Sequence, residues 1–456
     1  MDFTPVAPPP VRGLNPIEAP IGLSSGPLGS VRFVPIRGSR TVVIAVAVPV
    51  GARDEKKGEV GVAHFLEHVL FKQTASHPSA TALWSAIEAL GGEANAATDR
   101  ELTTYYVAVP RPHLMEAAAI LGEILFASTF SSDDIERERG VVIEEIRGDL
   151  DDPDELASLH LDEAIFGPGH IYSRSITGTP EEIRALPEKT IRAFFARHYN
   201  PAYMSMAVTG DLNPGEVSRA VAALTKPLKV PGSKPAMRAP RMLKKHPSMP
   251  PKAKGDELVA KVNELAQARL AIGVPAFGRH HPDRMALHVL DAVLGGGSGS
   301  RLFLRLREDA GLAYSVATDS YEYSEAGSFS IAAGVDPERV VEAAAAVVEE
   351  LRRITTEPVS DEELARAKGF LLGSLDRFAD NLEQVADWRA AEPLLNTNTD
   401  RLEEEMAKVR AVDASDVTEM AERLFRPGQL RFSLVAPKVA VTEFKAALRK
   451  GKKLAL

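Results

Sequence analysis

The chain contains no cysteine. Disulfides, thiol catalysis and thiolate metal sites are excluded together, so any bound metal must be held by histidine, aspartate or glutamate. A long apolar run is also lacking. The strongest, Thr41 to Val50, is far shorter than the roughly 20 residues that cross a bilayer, and no membrane association is expected. Positive charge is in deficit, with a formal net charge of −9, which argues against a nucleic-acid binder held by electrostatics. The opening segment MDFTPVAPPPVRGL has Asp2 where an export signal carries positive charge, and its prolines interrupt any apolar stretch. The expectation is a soluble, cytoplasmic protein, with the periplasm as the alternative if a signal has been removed.

What remains is the composition of a folded protein. Over 456 residues, 45% hydrophobic and 26% charged content with 33 Gly and 32 Pro excludes collagen-like and wholly disordered classes. At roughly 150 residues per domain the length suggests two to four domains. Residues 226–254, KPLKVPGSKPAMRAPRMLKKHPSMPPKAK, replace apolar periodicity with prolines and basic residues, the mark of a linker. A nucleic-acid or anionic-membrane patch is disfavoured there because aromatic residues for base stacking are missing. The expected division is an N-terminal domain over 20–225, a linker over 226–256 and a homologous C-terminal domain over 257–445.

The two halves look alike. TVVIAVAVPVGARDE precedes AHFLEHVLF in the first, ARLAIGVPAFGRHHPD precedes MALHVLDAVLG in the second, and SSDDIERERGVVIEEI has a counterpart in SDEELARAKGFLLGSL. Such self-similarity indicates duplication. Within the first half, Ser79 can cap a helix through Trp84 and Ile87 to the Gly91-Gly92 stop, and Leu102 to Val109 alternates as a strand. Helical patterns follow at Pro112–Ala127, Asp133–Asp149, Asp154–Phe166 and Thr190–Tyr199. Strands and helices mix without regular β-α-β alternation, so the predicted fold is α+β. It consists of two duplicated domains, each a mixed or antiparallel sheet covered by helices.

The chemistry concentrates in His64-Phe65-Leu66-Glu67-His68. On a helix His64 and His68 lie one turn apart on one face, where two imidazoles can grip one tetrahedral ion. Glu67 projects beside them, placed to take a proton from an activated water, and the order His-x-x-Glu-His is that of inverted zinc motifs. A third ligand is needed. In Asp133–Asp149, Ile135, Val142 and Ile146 form an apolar stripe; Glu138 and Glu145 share a line flanking it by about 60° to 80°, while Glu144 points away. Glu145 is the better placed ligand. Glu138 suits a supporting role toward a ligand or Glu67, against the plainer reading of a surface ion pair with Arg137 or Arg139. Aligning the halves sets His288 against His64, Asp291 against Glu67, Ala292 against His68 and Ser374 against Glu145. The second copy therefore cannot bind zinc in the same way. Gly295–Ser300 lacks the Gly-Lys-Ser/Thr ending of a phosphate loop and is expected to be a loop feeding the following helix.

The chain resembles the pitrilysin, insulin-degrading enzyme and mitochondrial processing peptidase family of zinc metallopeptidases. The resemblance runs from about Gly29 to Pro437 and rests on HFLEHVLFK, GGEANAATDRELTTYY, ERERGVVIEEI followed by DDP, FFARHYNPAYMSMAVTGDL and SRLFLRLREDAGLAYSV. It implies zinc, one ion per chain, on His64, His68 and Glu145, with Glu67 as general base and Glu138 as a further active-site carboxylate. It also implies that Arg307 and Tyr314 anchor substrate and steady the oxyanion, roles that the residues alone would not suggest for a Tyr otherwise read as packed aromatic. Backbone around Asn95 and Ala96 is implied to pair with an extended peptide substrate. Larger members hold four such domains in one clam-shell chamber, so this two-domain chain is expected to act as a homodimer, with a heterodimer with a paralogous chain as the alternative. Some subunits of the family serve only as scaffolds, and erosion of His-x-x-Glu-His, their expected mark, is not seen in the first half.

Overall fold

The computed structural model describes residues 21–23, 26–229, 250–395, 402–451 and 454–456. The middle of the expected linker, 230–249, lies outside the described residues. Two sheets organise the chain. The first has the order β1-β2-β6-β3-β5-β4, with β1 Ile21–Gly22, β2 Ser30–Pro35, β3 Thr41–Val48, β4 Glu93–Thr98, β5 Thr103–Pro110 and β6 Ser205–Gly210. The second has the order β7-β11-β8-β10-β9, with β7 Leu258–Val262, β8 Ala268–Ala276, β9 Ala313–Glu322, β10 Gly327–Val335 and β11 Arg431–Ala436. Only β2 with β6 and β7 with β11 run parallel; every other pairing is antiparallel. With β1 set aside the two orders are the same, so the duplication read from the sequence is a duplication of topology.

Five helices of the first half matter below: α1 Val62–Leu70, α2 Ala80–Ala89, α3 Leu114–Phe126, α4 Ser132–Asp151 and α5 Pro153–Phe166. Ser79 caps α2 by accepting from the Ala82 N–H at 3.2 Å. Ser131 and Ser360 cap the equivalent helices α4 and Asp361–Ala379, which places Glu145 and Ser374 fourteen residues after their respective caps.

The halves exchange helices, an arrangement that periodicity did not reveal. Strand β3 is buried at every position after Thr41 because both of its faces are covered. Val42, Ile44, Val46 and Val48 enter the core beneath α1 and α3. Val43, Ala45 and Ala47 instead meet Ala386 and Ala390 of helix Leu382–Leu395, which belongs to the second half. In return α5 lays Leu161 and Ile165 on the second sheet beside Ala271 and Val435. Gly273 of β8 permits this approach, since a Cβ there would stand 3.0 and 3.1 Å from the Ile165 and Leu161 side chains and 2.8 Å from the Phe329 carbonyl oxygen. Small residues on these outer sheet faces let a helix sit close, and burial of both faces explains why β3 reads as one unbroken apolar run.

A buried polar hub also joins the halves. Glu101, in the turn between β4 and β5, accepts hydrogen bonds from Arg53 and Tyr172 of the first half and from Arg279 and Ser324 of the second. Nearby, Arg100 donates to Asp162 on α5 and to the Tyr323 hydroxyl, both at 2.6 Å.

Candidate metal centre

Helix α1 is fixed before its functional residues begin. Gly61 caps it at φ +82°, and a Cβ there would meet both the Ile183 side chain and the Thr177 carbonyl at 2.6 Å, so glycine is required. Glycine has no side chain to satisfy the first free amides. The buried carboxylate of Glu55 does so, accepting from Gly61 N–H at 3.1 Å and Ala63 N–H at 3.0 Å. Burial pushes the Glu55 carboxyl up to about 8, against the pull of those two bonds. With Phe65, Leu66, Val69 and Leu70 buried in the core, the remaining face of α1 must present His64, Glu67 and His68 toward α4.

Helix α4 answers with its apolar stripe, Ile135, Val142 and Ile146, buried in the same core. Glu138 and Glu145 flank that stripe on the α1 side. Glu145 spans both imidazoles, with Oε1 3.5 Å from His64 Nε2 and Oε2 3.2 Å from His68 Nε2. The other nitrogen of His68, Nδ1, lies 3.4 Å from Glu138 Oε2, while Glu138 Oε1 accepts from Lys72 at 2.8 Å. Arg137 and Arg139 pair instead with Asp134 and Glu136, so Glu138 is not the surface ion pair of the plainer reading. Glu144 is exposed and pairs with Arg147.

Electrostatics follow from this crowding. Burial lowers the affinity of His68 for a proton, but the hydrogen bonds and charges of Glu138 and Glu145 outweigh it and push the ring up to about 9. His64 and His68 in turn hold the Glu145 carboxyl well below the usual carboxylate range, burial opposing them. For Glu138 burial is again the largest influence and raises its pKa, yet His68 and Lys72 prevail and lower it.

The donor set fits a metal ion. Glu145 approaches the two imidazoles through different carboxylate oxygens, at 3.5 and 3.2 Å, on the scale of the roughly 3.4 Å that separates ligand atoms around a tetrahedral zinc ion. Among the described residues His64, His68 and Glu145 are the group able to share an ion, one ligand atom from each lying within 4.8 Å of the others. Two imidazoles and a carboxylate without sulfur suit zinc. Beside them Glu67 is held by Thr98, whose hydroxyl donates to Glu67 Oε2 at 2.6 Å.

The second half lacks such a set. His288 bonds Glu322 at 3.0 Å, Ala292 is buried, and the Ser374 hydroxyl donates to the Phe370 carbonyl at 2.9 Å. Asp291, where Glu67 would be, accepts from Thr318 and from Ser320. Arg307 lies on a π-helical turn, Leu304–Asp309, rather than a regular helix, with its guanidinium carbon 5.5 Å from the centre of the Tyr314 ring. Tyr314 is 71% exposed, and among the described residues no hydrogen bond or ion pair links either side chain to the histidine cluster. Asn95 and Ala96 stand on β4, an edge of the first sheet, with Asn95 exposed and the Ala96 side chain turned inward.

Comparison with known proteins meets this geometry. Residues 35–178 match the model of the insulinase family, peptidase family M16, and residues 186–371 match that of the peptidase M16 inactive domain. A Streptomyces coelicolor protein called an uncharacterized zinc protease is 35% identical over 339 residues, 74% of this chain and 72% of the relative. The chain belongs to peptidase family M16. The insulinase match contains His64, Glu67, His68, Glu138 and Glu145, and the inactive-domain match begins in the first half and contains His288, Asp291 and Ala292 of the second. A Bacillus subtilis protein also called an uncharacterized zinc protease is 30% identical over 386 residues, 85% of this chain and 91% of its own length. A Helicobacter pylori protease structure superposes with a TM-score of 0.81 at 23% identity, covering 92% of this chain and all of that one, and an M16 inactive-domain structure from Pseudomonas fluorescens gives 0.80 at 20%. These two show the fold. No helix among the described residues is long and apolar enough to cross a membrane.

Sequence reasoning assigned no role to three residues that support this cluster. Lys72 closes HFLEHVLFK without a role of its own there, and Glu55 carries no motif. Thr98 was detectable in principle, because in GEANAAT the positions Ala94, Ala96 and Thr98 alternate onto the inner face of β4, where a polar residue needs a partner.

Proposed function

We propose that the protein is a zinc-dependent endopeptidase that hydrolyses peptides lying along β4, with His64, His68 and Glu145 holding the metal and Glu67 acting as general base. The observation that carries this reading is the spacing of Glu145 between the two imidazoles, with the Glu67 carboxylate beside them. Bound there, zinc supplies Lewis acidity, which makes a water acidic near neutral pH. Glu138, on the far nitrogen of His68, fixes the tautomer that leaves Nε2 free to ligate. Glu67 keeps Oε1 available for the proton it takes from water and later returns to the departing amine, while Thr98 occupies Oε2.

Substrate would add as a strand to the edge at β4, which reads main chain and tolerates many sequences. The Ala96 N–H donates to the Asn95 side-chain oxygen at 2.9 Å, so an entering peptide must displace that bond. Exposure of Tyr314 supports a dimeric chamber in which Arg307 and Tyr314 serve the partner's zinc site as oxyanion and backbone donors.

The test is Glu67→Gln. Zinc should be retained and turnover of a mixed peptide library, read by mass spectrometry, should fall by about 10²- to 10⁴-fold. Near wild-type cleavage would remove the general-base assignment.

A further inference from the structure

We propose that Thr98 is a positioning residue for Glu67, tying the general base to the same edge strand that sets the substrate's register. The inference rests on the peptidase reading above. Glu67 is half-buried and lies on a helix face, and among the described residues the Thr98 hydroxyl is its hydrogen-bond partner. The bond is short, 2.6 Å, and its acceptor is a carboxylate, the stronger class of hydrogen bond. It engages one carboxylate oxygen and leaves the other for chemistry.

Thr98 is itself held from behind. It is the last residue of β4 and pairs across the turn with Thr103 of β5, whose fully buried hydroxyl donates to the Val50 carbonyl at 2.9 Å and stands 3.5 Å from Thr98 Oγ1. Three residues on, Glu101 locks the same turn to the second half. Asn95 and Ala96, where a peptide would pair, lie three and two residues before Thr98 on the same strand. A single rigid segment thus carries both the substrate's main-chain register and the orientation of the base, and misplacement of a reacting group by about 1 Å can cost on the order of 10² in rate.

The second half supplies an internal control. There Asp291 occupies the Glu67 position and accepts from Thr318, on the equivalent edge strand β9. The tie between helix and edge strand is therefore a property of the duplicated fold. Only in the first half does it end on a carboxylate beside a metal-binding set, so only there should it govern turnover.

The experiment uses the full zinc-loaded chain and quenched fluorescent peptides chosen from library hits, with kcat and KM measured separately. Thr98→Val keeps the shape and β-branching but removes the donor. Its kcat should fall about tenfold to a hundredfold, with KM within about twofold and zinc content unchanged, and Thr98→Ser should recover most of the loss. In a Glu67→Gln background Thr98→Val should have no further effect. Thr318→Val should leave kcat at the wild-type value. If Thr98→Val does not accumulate as folded protein, Thr98→Ala and Thr98→Ser are compared in the same way, and the hydroxyl must account for kcat. A Thr98→Val enzyme with kcat within about twofold of wild type overturns this assignment alone. A wild-type protein that binds zinc but cleaves nothing overturns the peptidase reading and this assignment with it.

Discussion

Replacing Glu101 by alanine should destabilise the protein at the junction of the halves. Its side chain is 3% exposed and lies between two guanidinium groups, those of Arg53 and Arg279, which are themselves 13% and 15% exposed. It also accepts from the Tyr172 hydroxyl at 3.1 Å and from the Ser324 amide and hydroxyl, each at 3.0 Å. Removing one partner of a buried ion pair typically costs about 3 to 5 kcal/mol, because the other charge is left without compensation. Arg53 keeps a second carboxylate, Glu325 at 3.3 Å, so the uncompensated charge is mainly that of Arg279, and a loss near 3 kcal/mol is expected. Arg279→Met leaves Glu101 with Arg53 and its other donors and should cost less, about 1.5 to 3 kcal/mol, the range for a hydrogen bond to a charged group. Urea unfolding of the single variants and of the double variant gives both values and their coupling. The double variant should lie above Glu101→Ala alone in stability, since it removes the stranded cation. Losses below about 1 kcal/mol in both single variants, or a larger loss for Arg279→Met, would refute the reasoning.

Three further outcomes are expected. Glu138→Gln should weaken zinc binding about 10- to 100-fold, the usual cost of losing a partner behind a ligand, as measured by competition with a chelating dye. In the zinc-free protein His68 is raised to about 9, so its cationic form stabilises the fold fully below about 6.5, its ordinary value, and that stabilisation is lost as pH rises through 9. Zinc needs the neutral ring, so calorimetry at pH 7.5 in buffers of different ionisation enthalpy should show about one proton released from His68 per zinc, falling toward none above pH 9; a buffer-independent enthalpy at pH 7.5 would contradict this. Finally, inactive Tyr314→Phe and Glu67→Gln chains, mixed under conditions of subunit exchange, should recover up to about a quarter of wild-type activity, because under the proposed dimer a mixed pair would contain one intact composite site. No recovery, with exchange verified by tags, would place the pair within its own chain or with a different partner.

The parts of this architecture that were legible in the sequence are those governed by local spacing. The four-residue interval of His64 and His68 and the stripe of Ile135, Val142 and Ile146 fix which faces of α1 and α4 meet, and the counterpart segments SSDDIERERGVVIEEI and SDEELARAKGFLLGSL align the helices of the two halves. What was not legible depends on partners distant in the chain. Helix Leu382–Leu395 presents small residues, Ala386 and Ala390, to the sheet of the other half and has no marked apolar stripe to announce that destination. Two nearer features were also missed: the π-helical turn around Arg307, and the Glu55 bonds to Gly61 and Ala63 only six and eight residues on, which arise from a loop with no capping motif. Thr98 was readable as inward-facing from its alternation, but nothing along the strand names Glu67 as its partner.

The central assignment is the metal-binding set, and its most direct measurement is the zinc content and X-ray absorption of wild-type protein beside Glu145→Gln and Glu144→Gln after exhaustive dialysis. Wild type and Glu144→Gln should each retain about one zinc per chain with nitrogen and oxygen ligands at about 2.0 to 2.1 Å, and Glu145→Gln should lose most of its metal. Equal retention by the two variants, or a wild-type chain that binds no zinc, would contradict the site described here.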